Sequence, residues 1–180
     1  MGSATEFITP PLRAFIEAQH LFFVATAPRA DEGHINLSPK GMDTFRVLSP
    51  ARVAYLDLTG SGNETAAHVL ENGRITFMFC ALEGKPMILR LYGRGRAVLP
   101  DSSQWAELSP LFPQFPGARQ IIVAELSRVA TSCGFGVPQM SFTQDRDGLT
   151  NWASSKSADE LRQYRERKNR SSIDGLWAPT

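Results

Sequence analysis

Net charge, cysteine, histidine and long hydrophobic runs are all scarce in this chain, and each shortage removes a class of function. Lys and Arg total 19 against 18 Asp and Glu, a formal net charge of +1. No global field therefore draws in nucleic acid or an anionic membrane, and any anion site must come from a local cluster. The 2 cysteines are Cys80, inside the apolar run 75–81, and Cys133, beside Gly134. They form neither a disulfide framework nor a metal spacing and read as free thiols of a reducing cytosol. His20, His34 and His68 are the only histidines, and none stands in a metal-ligand or nucleophile–base spacing. The longest apolar stretch near the N-terminus, residues 21–27, is too short to span a bilayer. Residues 1–7 lack the basic and apolar regions of a leader. The expectation is a cytoplasmic protein with no nucleic-acid or membrane partner. The 180 residues carry no repeat and no Pro/Gly/Ser-rich linker, so they read as one domain over 1–180.

What is present is a series of short periodic segments. Thr9 followed by Pro10 and Pro11 opens a helix to about residue 19. Residues 21–27 read as a buried strand and 34–38 as an alternating one, joined through a polar turn as a hairpin. Residues 52–59 place Val53, Tyr55, Asp57 and Thr59 on one face and Ala54, Leu56 and Leu58 on the other. A loop over 59–62 runs into a helix beginning near Asn63 and stopping at Asn72-Gly73. Strands follow over 74–81 and 87–99. On the latter, Met87, Leu89, Leu91, Gly93, Gly95 and Ala97 share a face opposite Arg90, Tyr92, Arg94 and Arg96. Glycines on the apolar face imply bending or a close backbone approach. A helix over 102–112 and a strand over 120–131 come next. Ser157 and Glu160 form a capping box opening a last helix, about 157–170, whose many basic residues read as a solvated face. The pattern predicts a mainly β, α+β fold: an antiparallel six-stranded barrel with peripheral helices. No Gly-x-Gly-x-x-Gly opens a helix after the first strand, which argues against a dinucleotide-binding doubly wound sheet.

Five strings carry more than their periodicity. They are residues 34–41 (HINLSPKG), 53–65 (VAYLDLTGSGNET), 70–77 (LENGRITF), 88–97 (ILRLYGRGRA) and 132–138 (SCGFGVP). In order and spacing, over roughly residues 20 to 170, they resemble the pyridoxamine 5′-phosphate oxidase-like, FMN-binding split-barrel superfamily. The resemblance implies a homodimer with two FMN sites at the subunit interface. Carried over residue by residue, it assigns FMN contacts to Ser38 and Lys40, to Tyr55, Asp57 and Thr59, to Ser61, Asn63 and Thr65, and to Arg90. It places Cys133 and Gly134 near the ring and sends Trp152 toward the partner's flavin.

The residues agree with part of this. FMN brings a dianionic phosphate and a flat, half-apolar ring. Lys40 supplies charge, and the loop 60–63 leads into a helix N-terminus whose free amides and dipole favour an anion. Ser61, Thr65 and Asn63 add hydrogen-bonding groups; an ordinary Asn-capped helix is the alternative reading of the same loop. Two departures stand out. The oxidase pattern has Ser-Arg-Lys at the start of this helix, where this chain has Glu64-Thr65-Ala66. The Arg-x-His type string that holds the oxidase's substrate has no counterpart in residues 171–180. The implied function is an FMN-dependent oxidoreductase using a small-molecule substrate or reductant, not a true pyridoxine phosphate oxidase. The alternatives are a non-enzymatic flavin-binding module, or a haem or deazaflavin binder on the same fold.

Overall fold

The computed structural model describes residues 2–180. In chain order the elements are β1 (Ala4–Thr5), α1 (Pro10–Glu17), β2 (Leu21–Thr26), β3 (Asn36–Gly41), β4 (Phe45–Ser49), β5 (Arg52–Leu58), α2 (Glu64–Glu71), β6 (Arg74–Cys80) and β7 (Ile88–Val98). They continue with α3 (Ser103–Leu108), a 3-10 turn (Ser109–Leu111), β8 (Ala118–Ser132), α4 (Gly148–Ser154) and α5 (Ala158–Lys168). All strands pair antiparallel in one sheet of order β3-β2-β6-β7-β8-β5-β4, with β1 added on β8.

The two ends of that order meet through side chains. Phe45 of β4 packs against Phe22 of β2 and Phe79 of β6, with ring centroids 5.0 Å apart in each case, and against Phe77 at 5.5 Å. The sheet therefore curls round an aromatic core and is closed by rings where no ladder joins its edges, which is a split barrel. Burying each Phe contributes roughly 1.5–3 kcal/mol, so this cluster fixes the curl.

The predicted six strands are eight. The two additions are β1 and β4. The sequence reading passed over β4 because Phe45–Ser49 is short and runs into Pro50, and only its ladder with β5 defines it. The predicted strand over 34–38 lies instead at Asn36–Gly41, running through Pro39. Pro39 is tolerated because β3 is the end strand of the sheet.

Both faces of β5 are covered. Val53 and Tyr55 face the barrel core, while Ala54 and Leu56 join a second cluster with Leu108, Phe112, Ile121 and Val123 beneath α3. The glycines of β7 do what their pattern implies. The β7–β8 register shifts between Tyr92 and Gly93, and a Cβ on Gly93 would run into the carbonyl oxygen of Glu125. The Ser157–Glu160 capping box forms as read.

Candidate functional site

Along β3 and at the end of β5, a cavity of about 660 Å³ opens beside the N-terminus of α2. Three strands and a loop build it. β3 alternates, so Asn36, Ser38 and Lys40 point inward. β5 delivers Asp57, the start of β8 delivers Arg119, and the loop into α2 contributes Gly60, Ser61 and Gly62. The C-terminal segment closes one side with Ser171, Ser172 and Ile173, beside Lys168 of α5.

Asp57 is the hub. It is 1 % exposed. It accepts hydrogen bonds from Arg119 Nε (2.8 Å), Gln120 Nε2 (2.8 Å) and Lys40 Nζ (3.0 Å). Burial alone would raise its pKa, but the charges of Arg119 and Lys40 and the bonds from Gln120 and Arg119 hold it well below the usual carboxylate range. Two cations on one carboxylate leave a net positive charge on the cavity wall. Arg119 also donates to Asn169 Oδ1 (2.8 Å), and Asn169 Nδ2 donates to the carbonyl of Gly60 (3.1 Å), so the α5 end and the α2 loop are tied to the same hub.

The α2 N-terminus is uncapped. Asn63 occupies the cap position, yet its side chain makes no cap bond. It is buried and turned inward, donating to the carbonyl of Pro179 (2.8 Å) and accepting from Gln120 (2.7 Å). The first-turn amides thus have no side-chain acceptor at the edge of a polar cavity, an arrangement that accepts an anion. Glu64 would oppose one, but its carboxylate oxygens each accept from the Ile173 amide at 3.2 Å. That bond directs part of the carboxylate's charge into the C-terminal segment.

A second network lies behind the wall. Ser38 donates to Asn36 Oδ1 (2.9 Å), and Asn36 Nδ2 donates to Thr65 and Thr26 hydroxyls (3.1 Å each). Thr26 meets His68 Nδ1 at 3.0 Å. The other ring nitrogen, Nε2, is buried without a partner. Burial pushes the His68 pKa down, opposed by Glu64, Asp174 and Glu71. Tyr55, also fully buried, has no partner for its hydroxyl; burial and then the Asp57 charge push its pKa well up.

Of the residues assigned from the sequence, Ser38, Lys40, Asp57, Ser61 and Thr65 come together on this cavity. Tyr55 and Asn63 lie behind it, and Thr59 is buried with its hydroxyl on the Gly117 carbonyl (2.7 Å). Four lie elsewhere. Arg90 bonds Ser132 (3.1 Å) across β7 and β8. Cys133 is exposed, and Gly134 abuts Met87. Trp152 packs edge-on against Tyr164 at 4.9 Å, while its neighbour Leu149 reaches the cavity. The sequence reading missed Arg119, Lys168, Asn36 and the C-terminal serines. An aspartate inside an apolar strand is the signal that could have pointed to a buried cation, but nothing local identifies that cation as Arg119. Among the described residues no three His, Cys, Asp or Glu side chains group as a metal site, and no histidine lines this cavity.

A family model described as pyridoxamine 5′-phosphate oxidase matches residues 8–133. The pyridoxamine 5′-phosphate oxidase family protein ustO of Aspergillus flavus is 38 % identical over 188 residues, covering 95 % of this chain and 75 % of the relative. Among solved structures, HupZ of Group A Streptococcus superposes with a TM-score of 0.52 at 20 % identity, over 68 % of this chain and 91 % of its own. An FAD-binding protein from Mycobacterium smegmatis superposes with a TM-score of 0.50 at 12 % identity, over 71 % of this chain and 97 % of its own. The two structural likenesses extend to the fold.

Proposed function

The chain belongs to the pyridoxamine 5′-phosphate oxidase family, and from that membership we propose that it is an FMN-binding flavoprotein acting as an FMN-dependent oxidoreductase. The observation that carries the reading is the uncapped α2 N-terminus opening on a cavity with Lys40, Arg119 and a set of hydroxyls. The phosphate would rest on the first-turn amides, Ser61 and Lys40, and Met42, Leu56, Leu58, Leu149 and Ile173 offer apolar surface to the ring. A relative of the same fold is described as binding FAD, which supports a flavin. The C-terminal segment closing one side of the cavity favours the mononucleotide.

Bound flavin supplies the hydride or electron chemistry, so the chain's task is to bind, orient and exclude water. Asp57 positions Lys40 and Arg119, and the Ser38–Asn36–Thr65 bonds fix two hydroxyls on the wall.

The second copy of a homodimer would complete the site. β3 is an end strand of the sheet, with Leu37 exposed at 62 % on its outward face and Ile35, just before the strand, exposed at 76 %, apolar surface of the kind that meets another chain. The substrate is a small molecule other than pyridoxine phosphate. With Thr65 and Ala66 at the oxidase's Arg-Lys positions, and no Arg-x-His type string in residues 171–180, a second phosphate has no arginine clamp. No helix among the described residues is long and apolar enough to cross a membrane, consistent with a cytoplasmic location.

The test is an absorption spectrum of the purified protein after FMN loading and gel filtration. Retained flavin bands, bleached anaerobically by NADH or NADPH, are expected, with no turnover of pyridoxine phosphate. A Soret band, or flavin lost entirely on the column, would overturn the reading. Flavin that is retained but never reduced would leave a carrier instead of an enzyme.

A further inference from the structure

A second cavity, about 700 Å³, shares only Gly41 and Met42 with the polar one. One part of its wall is apolar and soft, formed by Met42, Cys80, Leu82, Met140 and Phe142 with His20, while Gln19, Ser141, Thr143 and Gln144 line the rest with three charged residues. The imidazole of His20 and the ring of Phe142 lie parallel, centroids 3.7 Å apart and planes 7° apart. The segment supplying Met140 and Phe142 is pinned to the barrel by two bonds. The Met140 amide donates to the Leu82 carbonyl and the Phe142 amide to Glu83 Oε1, both at 2.9 Å. Even so, Met140 and Phe142 remain 54 % and 42 % exposed, which is apolar surface the fold itself does not cover.

We propose that this chamber binds an uncharged, planar aromatic molecule of one or two rings. Its volume and its predominantly apolar surface match small-ligand sites. Methionine thioethers adapt their shape to rings and contact them favourably, and the parallel His20–Phe142 pair offers a flat face for a further ring. Charges of both signs stand at the rim, Glu83 and Asp145 against Arg146, and no buried ionic partner waits inside. An ionic ligand would therefore be desolvated without compensation. The proposal stands whether or not flavin fills the first cavity.

The two cysteines make the test. Cys80 lines the chamber and is half-buried; Cys133 is exposed and lies outside it. The full chain, with and without FMN, is titrated with 2-naphthol by fluorescence. It is then labelled with N-ethylmaleimide and the modified cysteines are quantified by mass spectrometry. Saturable binding is expected, with naphthol slowing the labelling of Cys80 several-fold and leaving Cys133 unchanged. Met140→Asp, a surface change that spares the core, is expected to weaken naphthol by about ten-fold through the desolvated carboxylate. Equal labelling with and without naphthol, or protection unchanged by Met140→Asp, would overturn the proposal. So would a Cys80 already inert in the absence of naphthol in a chain of doubled mass, because the face would then be sealed between copies. Failure of FMN to bind would sink the flavin reading and leave this one standing.

Discussion

At the residue scale, Lys40 and His68 carry opposite lessons. Lys40 was legible as a site residue because a lysine ends an alternating strand, but its pairing with Asp57 at 3.0 Å was not. Removing its ammonium from a site holding FMN phosphate costs about 1.5–3 kcal/mol of binding, or roughly ten- to a hundred-fold in affinity. Lys40→Ala is therefore expected to weaken FMN by that factor in a fluorescence-quenching titration and to leave riboflavin, which lacks the phosphate, unaffected. Unchanged FMN affinity would shift the phosphate to Arg119 and Lys168. His68, which stands in no ligand or nucleophile–base spacing in the sequence, is wholly buried. Its folded pKa is lowered by burial, so below the ordinary value near 6.5 the unfolded chain binds the extra proton. The stability it contributes is complete above that pH and is lost as pH falls below it. The urea midpoint of the wild type is expected to drop between pH 7.5 and 5.5. His68→Gln should flatten that part of the profile; an equal slope in both proteins would refute the assignment.

At the element scale, the alternation of β7 was readable in full, and so was the meaning of its glycines. What could not be read was the partner. Gly93 is required because the β7–β8 ladder shifts register there and brings the Glu125 carbonyl against it. That contact joins residues over thirty positions apart in the chain. Gly93→Ala must push one strand aside, an overpacking cost of about 1–3 kcal/mol, seen as a fall of roughly 2–4 °C in Tm per kcal/mol for a chain of this size. Gly136→Ala, where a Cβ meets nothing within 4 Å, is the control and should leave Tm in place. α2 shows the reverse failure. Its start at Asn63 was read correctly, but Asn63 as a cap would have satisfied the very amides the site needs. Gln120 and Pro179, both distant in sequence, draw its side chain away.

At the scale of the whole molecule, β3 both lines the site and ends the sheet. A second copy covering Ile35 and Leu37 predicts a light-scattering mass near twice 19.8 kDa at micromolar concentration. Leu37→Glu, on that exposed face, is expected to shift the protein toward monomer without unfolding it. A wild type that stays monomeric throughout would remove the shared-site arrangement and leave the flavin proposal to rest on one chain.

The sequence by itself determined the mainly β character, the antiparallel hairpins, the capped last helix and the strand-to-helix loop at residues 60–63, because period, caps and turn residues act over a few positions. Its resemblance to the family also named Ser38, Lys40, Asp57, Ser61 and Thr65 as candidates, together with Arg90, Cys133, Gly134 and Trp152, which lie elsewhere. Tertiary structure alone decided that β4 is a strand, because an edge of five residues is defined by its ladder with β5 and by Phe45 against Phe22, Phe77 and Phe79. It also decided which cation meets Asp57, and that the C-terminal serines reach a cavity more than a hundred residues earlier in the chain. Ion pairs and cavity walls of this kind are fixed by how the sheet curls, and that curl follows from the packed core as a whole.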